Sequence, residues 1–171
     1  PDAILCSSHE LVRERGEYER FSTCVMNAYV QPVMARYLER IDTGLKAVGI
    51  AAPLFVMKSN GGTMSAAAAG RQAVFTILSG PAGGAVASRS ISESCIGQNL
   101  IAADMGGTSF DVTVIHQGNV HFARDAEMGG LALKMPMLDI HTVGAGGGSI
   151  GWIDSGGSLR VGPRSAGADP G

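Results

Sequence analysis

Two glycines, two hydroxyl residues and two aspartates lie close together in Asp104-Met-Gly-Gly-Thr-Ser-Phe-Asp111, between two apolar runs. Phosphate oxygens can approach the backbone N–H groups of the glycine pair closely, because glycine carries no Cβ atom. The hydroxyl of Thr108 or Ser109 can donate to the same oxygens. The carboxylate of Asp104 suits hydrated Mg²⁺, which takes one or two carboxylates and keeps its waters. The segment predicts a nucleotide-phosphate site, and a plain Asp/Gly turn is the alternative.

A second glycine-rich segment is His141-Thr-Val-Gly-Ala-Gly-Gly-Gly-Ser149. The residues from Gly146 to Gly151 fit G-x-G-x-x-G, the dinucleotide-binding fingerprint. That fingerprint requires a helix after the loop. The residues that follow, Trp152-Ile-Asp-Ser-Gly-Gly, instead predict a strand and a turn. We therefore expect the loop to line a nucleotide or substrate pocket, with a purely structural turn as the alternative. The candidate ligand-binding glycines of this loop are Gly144, Gly146, Gly147 and Gly148.

Asp139 and His141 are two residues apart, so on a strand they would project from one face and could bind a metal. No third ligand is spaced to join them, and a hydrogen-bonded pair is the alternative. The sequence contains no P-loop, no G-x-S-x-G elbow and no C-x-x-C motif. A serine or cysteine nucleophile is therefore without support.

Composition narrows the class of protein. The chain has 171 residues, of which 45% are apolar and 16% charged, and its net charge is −2. This excludes a disordered chain, and the few basic residues argue against nucleic-acid binding. No apolar run reaches the roughly 18 residues of a membrane span and no signal peptide opens the chain. Cys6, Cys24 and Cys95 indicate buried thiols in a reducing compartment, so we expect a cytoplasmic protein.

The elements that would position these residues begin with a short strand, Asp2 to Ser7, and a long helix over residues 17–48. Apolar positions recur in this helix at spacings of three and four, which predicts a wide buried face. Pro32 should kink or split the helix, and Gly49 should cap its C-terminus. The face comprises Tyr18, Phe21, Val25, Tyr29, Val33, Tyr37, Ile41, Leu45 and Val48, with a second row at Met26, Val30, Met34 and Leu38.

An α/β pattern with a mixed sheet follows. Strands are predicted at 53–57, 74–78, 99–104, 110–116 and 120–123, a strand ends at 138–143, and a hairpin is formed by 150–154 and 158–161. Helices are predicted at 64–69 and 81–93, the second with a proline in its first turn. Turns are predicted at 59–62 and 117–119, and 162–171 has loop composition.

The order of small-residue helix, apolar strand, Asp-x-Gly-Gly-Thr turn and apolar strand resembles the second half of the nucleotide site in the superfamily of sugar kinases, heat-shock chaperones and actin. With the other motifs, the chain resembles the hydantoinase A family, which includes 5-oxoprolinases and acetone carboxylase β subunits. The motifs are Glu17-Tyr-Glu-Arg-Phe-Ser-Thr, Asn27-Ala-Tyr-Val-Gln-Pro, Ser59-Asn-Gly-Gly, Ser79-Gly-Pro-Ala-Gly-Gly, the segments at 104–109 and 139–149, and Arg160-Val-Gly-Pro-Arg-Ser-Ala-Gly-Ala-Asp-Pro-Gly.

The resemblance implies a partial actin-like ATPase (ribonuclease H-like) fold. Residues 1–78 would end a first lobe, 79–98 would form the connecting helix, and 99–171 would start a second lobe. The second lobe would carry the Gly-Gly-Thr hairpin, called phosphate-2, that wraps the β- and γ-phosphates of the nucleotide. It also implies ATP and Mg²⁺, activation and hydrolytic ring opening of a cyclic amide, a hydantoinase B-type partner, and assembly as an oligomer. The implied roles are Asp104 in the Mg²⁺ shell, Gly106, Gly107, Thr108 and Ser109 on phosphate, and Asp111 in a supporting or cation-binding role.

Two departures limit these expectations. The family carries a further Asp-x-Gly-Gly-Thr motif, called phosphate-1, in an N-terminal region, and no such segment precedes Asp104 here. Lys58 stands where the family commonly has Gln. We therefore expect the 171 residues, as a fragment, to hydrolyse little or no ATP. An ATP-dependent carboxylation subunit and a non-catalytic, nucleotide-binding regulator of the actin type are the alternative functions.

Overall fold

The structure is a computed structural model that describes residues 4–95, 97–123 and 126–167. The α-helices in this part are α1 (Ser8–Leu11), α2 (Glu17–Ala47), α3 (Ala66–Arg71) and α4 (Ser79–Cys95), with a 3-10 helix at Ala73–Thr76. The strands are β1 (Phe55–Met57), β2 (Thr63–Ser65), β3 (Leu100–Met105), β4 (Phe110–His116), β5 (Asn119–Val120), β6 (Ala126–Met128), β7 (Leu131–Leu133), β8 (His141–Val143), β9 (Ser149–Ile153) and β10 (Leu159–Ser165). None of the helices described is long and apolar enough to cross a membrane.

The chain divides into two compact units. One comprises residues 1–83 and 122–138, and the other comprises residues 84–121 and 139–171. The division falls inside helix α4, and the segment 122–138 belongs with the first unit. The assignment of 1–78, 79–98 and 99–171 to a first lobe, a connecting helix and a second lobe stays a prediction.

Helix α2 organises the first unit and contacts α1, α3, the 3-10 helix and β7. It ends at Ala47 with Val48 as its C-cap, one residue before the predicted cap Gly49. Gly49 has a φ of 83°, which suits a residue without a side chain. The Gly49 N–H donates to the Lys46 carbonyl (3.0 Å), and the Ile50 N–H donates to the Leu45 carbonyl (2.9 Å). The helix runs without a break through Pro32, so the predicted possibility of a split is wrong. Its packing against four neighbouring elements holds the helix together where proline removes one backbone hydrogen bond.

The buried face of α2 is not the one that periodicity predicts. Tyr18, Phe21 and Tyr29 of the predicted face are 64–80% exposed among the described residues, while Leu38 of the second row is 6% exposed. Small and polar residues, among them Thr23 and Asn27, occupy the buried side instead. Their side chains make hydrogen bonds to other elements, which fix the side of the helix that faces the core.

Asn27 is the central polar residue of the first unit and is 1% exposed. Its Nδ2 donates to the Arg71 carbonyl (3.0 Å), and its Oδ1 accepts from the Val74 N–H (3.0 Å). These bonds hold the chain after α3 in a 3-10 turn, which the Thr76 Oγ1 closes by donating to the Ala73 carbonyl at 2.7 Å. The predicted strand at 74–78 is therefore wrong, because side-chain hydrogen bonds take the place of a strand ladder there.

Ser59 and Thr23 make two further links in the first unit. Ser59, which follows β1, donates through Oγ to the carbonyls of Phe75 (2.8 Å) and Ile77 (2.6 Å), and its own carbonyl accepts from the Leu138 N–H (2.9 Å). The Thr23 Oγ1 accepts from the Lys134 N–H at 2.7 Å. The predicted turn at 59–62 is confirmed, and it connects β1 to β2.

The second unit contains an antiparallel sheet in which β4 pairs with β3 on one side and with β5 and β8 on the other. Thr113 and Ile115 are buried, whereas Val114 between them is 55% exposed, as alternation along a strand requires. Gln117 and Gly118 form the predicted β4–β5 turn, with φ values of 51° and 72°. Strands β9 and β10 form the predicted hairpin.

Other predicted elements need correction. The mixed sheet is wrong for the described part, where every strand pair is antiparallel. Short turns join the partners of every pair except β4 and β8, and antiparallel partners need no crossover helix. Residues 4–7 of the predicted N-terminal strand have no regular structure, and residues 1–3 lie outside the described part. The β6–β7 hairpin was not predicted. Residues 162–165 continue β10 instead of forming a loop. Cys24 is buried as predicted and Cys6 is half-buried, while the side chain of Cys95 lies outside the described part.

Candidate functional site: the β3–β4 hairpin and its glycine loop

The candidate phosphate-binding segment is the loop of a regular hairpin. Strands β3 and β4 pair up to Met105 opposite Phe110 and leave the four residues 106–109 as the loop. Inside it, the Gly106 N–H donates to the Ser109 carbonyl at 2.9 Å. Gly106, Gly107 and Thr108 are exposed, and Ser109 is half-buried. The sequence therefore locates this hairpin and its loop correctly.

Three consecutive backbone N–H groups of this loop are open. Within the described part of the chain, no acceptor contacts the N–H groups of Gly107, Thr108 or Ser109. Successive backbone N–H groups in a turn can form a concave site that binds anions. The hydroxyls of Thr108 and Ser109 add two donors at the same place. The arrangement can bind phosphate oxygens.

The two aspartates lie on one face of the sheet. Asp104 is directly opposite Asp111 in the β3–β4 register, and Thr142 of β8 is opposite Asp111 on its other side. The Thr142 Oγ1 donates to Asp111 Oδ1 at 2.6 Å. Asp104 is exposed, and its Oδ2 would lie 3.9 Å from a Cβ atom at Gly84 of α4. Two adjacent carboxylates and a hydroxyl, all oxygen donors, are the ligand chemistry that Mg²⁺ prefers.

Thr142 is a residue whose role the sequence does not reveal. It belongs to the motif that contains Asp139 and His141, but its partner Asp111 is 31 residues away in the chain. A usable signal would have been the alternation within β8, which puts Thr142 on the opposite face from its two neighbours. Matching that face to the face of Asp111 requires the strand register, which the sequence does not state.

The glycine loop after β8 packs against the hairpin loop. The Gly147 N–H donates to the Gly106 carbonyl (2.9 Å), and the Gly148 N–H donates to the Gly107 carbonyl (2.8 Å). The Gly146 N–H donates to the Ser149 Oγ at 2.7 Å. These three amides are therefore engaged within the protein. The contribution of the four candidate glycines to ligand binding stays a prediction. The strand that begins at Ser149 confirms that no helix follows the loop, as a dinucleotide fingerprint would require.

The β9–β10 hairpin supports the glycine loop from behind. The Ala166 N–H donates to the Gly148 carbonyl at 2.8 Å, and Gly162 packs against the Gly144 carbonyl so closely that no Cβ atom would fit. Trp152 Nε1 donates to the Gly162 carbonyl (3.0 Å), and the guanidinium of Arg164 lies 4.4 Å from the centre of the Trp152 ring. The loop is thus fixed on the side away from the β3–β4 hairpin.

Asp154 closes the turn of this supporting hairpin. Its Oδ1 accepts from the N–H groups of Gly156 and Ser158, both at 2.9 Å, and its Oδ2 accepts from Arg160 Nε at 2.8 Å. The hydrogen bond from Arg160, followed by that from the Ser158 N–H, lowers the pKa of the Asp154 carboxyl. The turn is held by an ionised carboxylate.

The candidate metal pair Asp139 and His141 is exposed. Backbone pairing accounts for the placement of Asp139, whose N–H donates to the His121 carbonyl at 2.8 Å. In the residues that the structure describes, no three His, Cys, Asp or Glu side chains form a group that could hold a metal. Metal binding by this pair stays without support from a third ligand.

A cavity of about 710 Å³ lies in the first unit, between α2 and α3. Its charged lining residues include Asp42 and Lys46, which form an ion pair at 2.6 Å. It contains none of the candidate residues on the hairpin or the glycine loop. The candidate residues on the hairpin and the glycine loop all lie in the second unit.

The chain is similar to one family of enzymes. The family model described as Hydantoinase/oxoprolinase matches residues 20–171. The alpha subunit of caprolactamase from Pseudomonas jessenii is 44% identical over all of this chain and 25% of its own length. The 5-oxoprolinase of Saccharomyces cerevisiae is 40% identical over 89% of this chain and 12% of its own length. The acetone carboxylase beta subunit of Xanthobacter autotrophicus is 34% identical over 90% of this chain and 21% of its own length.

Solved structures agree with this grouping. The crystal structure of the ATP-dependent caprolactamase from Pseudomonas jessenii superimposes with a TM-score of 0.82 over 100% of this chain and 25% of that one, at 44% identity. A nucleotide-free acetone carboxylase superimposes with a TM-score of 0.81 over 94% of this chain and 22% of that one, at 34% identity. The chain thus spans a quarter or less of the length of these relatives.

Proposed function

The chain belongs to the hydantoinase/oxoprolinase family, and on that premise we propose that it contributes the site for the β- and γ-phosphates of ATP to an ATP-dependent cyclic amide hydrolase. We propose with it the actin-like ATPase fold, in which residues 79–98 connect two lobes. The observation that carries the proposal is the run of three open N–H groups at Gly107, Thr108 and Ser109, next to two paired aspartates.

Each group at the hairpin has a role that its chemistry supports. The three N–H groups and the two hydroxyls would donate to phosphate oxygens. Asp104, which is exposed, would hold Mg²⁺ through its hydration shell, and Asp111 would support it while Thr142 fixes its carboxylate. Bound Mg²⁺ would neutralise charge on the phosphates, and phosphoryl transfer depends mainly on such positioning and neutralisation.

In the proposed reaction, the oxygen of a cyclic amide bonds to the γ-phosphorus while the bond from that phosphorus to ADP breaks. Water then adds to the carbon that bears the phosphorylated oxygen, and the ring C–N bond breaks as the nitrogen takes a proton. A second water hydrolyses the resulting acyl phosphate, so the products are a ring-opened amino acid, ADP and phosphate. Relatives act on caprolactam and 5-oxoproline, so a small cyclic amide is the substrate class that we propose.

A partner subunit completes the proposal. Three relatives are named as subunits: alpha in a caprolactamase, beta in an acetone carboxylase and gamma in an acetophenone carboxylase. We propose a hydantoinase B-type subunit or domain as the partner of the full-length protein, which would act in the cytoplasm. The 171 residues alone are expected to hydrolyse little or no ATP.

ATP-dependent carboxylation is the second candidate, and the 34% identity to the acetone carboxylase beta subunit favours it. The two functions share phosphate activation and differ in the group that accepts the phosphate. The hairpin would serve either one. The acceptor must be determined with the full-length protein.

The test is a substrate panel for the full-length protein that carries this sequence, together with its partner subunit. ADP release is measured with caprolactam, 5-oxoproline or hydantoin, and in parallel with acetone and bicarbonate. We expect ADP and ring-opened product in equal amounts with one of the cyclic amides. ADP release that depends on ketone and bicarbonate would favour the carboxylase, and release that no substrate alters would favour a nucleotide-binding regulator.

A further inference from the structure

We propose that the glycine loop 144–148 sets the conformation of the hairpin loop 106–109, and that Gly146 is the positioning residue at the contact. The inference rests on the proposed function, since it concerns how the phosphate-binding N–H groups are oriented. It assigns the loop a role other than direct contact with the ligand.

The orientation follows from the geometry of the peptide unit. The carbonyl of Gly106 and the N–H of Gly107 belong to one trans peptide plane and point in opposite directions. Because the Gly147 N–H holds the Gly106 carbonyl at 2.9 Å, the Gly107 N–H must point away from the glycine loop. This hydrogen bond from the glycine loop therefore sets the direction of the open Gly107 N–H.

A second hydrogen bond from the glycine loop works in the same way on the next peptide unit. The Gly148 N–H holds the Gly107 carbonyl at 2.8 Å, which turns the Thr108 N–H away from the glycine loop. A donor set fixed before the ligand arrives stabilises phosphate charge without reorganising during the reaction.

Gly146 fits this contact because it has no side chain. A Cβ atom there would lie 2.5 Å from the Gly106 carbonyl oxygen, 2.7 Å from the Thr108 nitrogen and 2.8 Å from the Gly107 carbonyl carbon. All three are backbone atoms, so no side-chain rotation can relieve the overlap. A methyl group at this position must displace the hairpin loop itself.

The neighbouring Gly147 differs in the property that matters. A Cβ atom there would lie 3.8 Å from the Gly106 carbonyl oxygen, an ordinary contact distance. Gly147 is also exposed, whereas Gly146 is half-buried. A loop that touches the ligand directly should tolerate a methyl group worse at the exposed position. A loop that acts through the hairpin should tolerate it worse at Gly146.

Ser149 and the β9–β10 hairpin make the loop stiff enough for this role. Both polar backbone groups of Gly146 bond to Ser149, its N–H to Ser149 Oγ (2.7 Å) and its carbonyl to the Ser149 N–H (2.9 Å). On the other side, the Gly148 carbonyl accepts from Ala166 (2.8 Å). The hairpin loop is therefore held by a segment that is itself held at both ends.

The experiment compares Gly146→Ala with Gly147→Ala in the full-length protein with its partner subunit. Calorimetry measures the Kd for ATP with Mg²⁺, and steady-state kinetics measures KM for ATP and for the cyclic amide. We expect Gly146→Ala to weaken ATP binding by about tenfold to a hundredfold, the loss typical of a misaligned hydrogen bond to a charged group. The effect of Gly147→Ala should be smaller, and KM for the amide should stay within about twofold in both, because the proposed role of the hairpin is to bind phosphate.

Gly151→Ala is the matched control for adding a methyl group to this region. A Cβ atom at Gly151 of β9 would lie 4.0 Å from the Arg160 carbonyl oxygen. It should leave ATP affinity and the thermal unfolding midpoint unchanged. Ser149→Ala adds no atoms and removes the acceptor of the Gly146 N–H, so it decides the matter if Gly146→Ala does not fold. Loss of this neutral hydrogen bond should raise KM for ATP by about two- to tenfold.

The outcomes separate the two proposals. Wild-type protein that does not bind ATP would overturn the proposed function and this inference with it. If the wild-type protein binds ATP and Gly146→Ala binds it with the same affinity, this inference is overturned and the proposed function stays intact. The same holds if Gly147→Ala loses as much ATP affinity as Gly146→Ala. An unchanged KM for ATP in Ser149→Ala would do the same.

Discussion

Asp104 and Asp111 face each other directly across the β3–β4 ladder, and one residue separates each of them from the hairpin loop. Directly opposed residues in an antiparallel pair have Cβ atoms about 4.5–5.5 Å apart. Two like charges at this separation repel each other unless a cation or a donor compensates. Thr142 supplies a donor to Asp111 at 2.6 Å, which leaves Asp104 as the carboxylate open to a cation.

Replacing Asp104 by Asn tests the proposed role in binding Mg²⁺. The amide keeps the shape of the side chain and removes its charge, so ATP affinity in the presence of Mg²⁺ should fall by roughly tenfold or more. Calorimetric titration of the full-length protein measures this, with Glu127→Gln on strand β6 as the control for loss of one exposed acid. Equal ATP affinities for the two variants would remove Asp104 from the site.

Replacing Thr142 tests whether Asp111 must be held in place. Thr142→Val keeps the shape and removes the hydroxyl that donates to Asp111 Oδ1, so kcat should fall by about three- to tenfold. Thr142→Ser keeps the hydroxyl and should restore most of the activity. If both variants retain wild-type kcat, the hydrogen bond does not serve the reaction.

Asn27 should be a major determinant of the stability of the first unit. Asn27→Ala would leave the Val74 N–H and the Arg71 carbonyl without their partners, and we expect a loss of about 2–4 kcal/mol in the free energy of unfolding. Urea titration measures it, with Asn119→Ala as the control, because the side chain of Asn119 is exposed and donates to the carbonyl of Gln117. A loss below about 1 kcal/mol would show that these groups find other partners.

Cys24 predicts a dependence of stability on alkaline pH. Burial, with a smaller contribution from the neighbouring Cys6, raises the pKa of the Cys24 thiol from 9.0 to about 11. Above pH 9 the unfolded chain loses this proton while the folded chain keeps it, so the stability contributed by Cys24 falls as pH rises toward 11.

Urea unfolding of wild-type protein and Cys24→Ala at pH 8 and pH 10 measures this effect. The loss of stability between the two pH values should be smaller in Cys24→Ala, because the variant has no thiol to titrate at this position. An identical loss in the two proteins would mean that other groups cause the alkaline effect.

Local patterns were enough to predict the β3–β4 hairpin, the Gln117-Gly118 turn and, to within one residue, the glycine that terminates α2. In each case, the residues that determine the structure are adjacent in the chain: paired apolar runs around glycines, or a glycine with positive φ. Backbone geometry dictates these features directly, so the sequence predicts them and the candidate loop 106–109 with them.

Features determined by distant partners could not be predicted. The strand expected at 74–78 is a 3-10 helix because Asn27, 47 residues away, accepts from Val74. The buried face of α2 is likewise fixed by its hydrogen bonds and not by its apolar stripe. In the candidate site, the sequence marks the glycine loop as functional, but its contact with the hairpin joins residues about 40 positions apart, Gly106 and Gly147.

The central claim is that the hairpin loop 106–109 binds the terminal phosphates of ATP. A structure of the full-length protein with its partner subunit, Mg²⁺ and a non-hydrolysable ATP analogue tests it most directly. We predict β- or γ-phosphate oxygens at about 2.7–3.2 Å from the backbone nitrogens of Gly107, Thr108 and Ser109. A triphosphate bound elsewhere, with these three N–H groups facing solvent or protein carbonyls, would contradict the account.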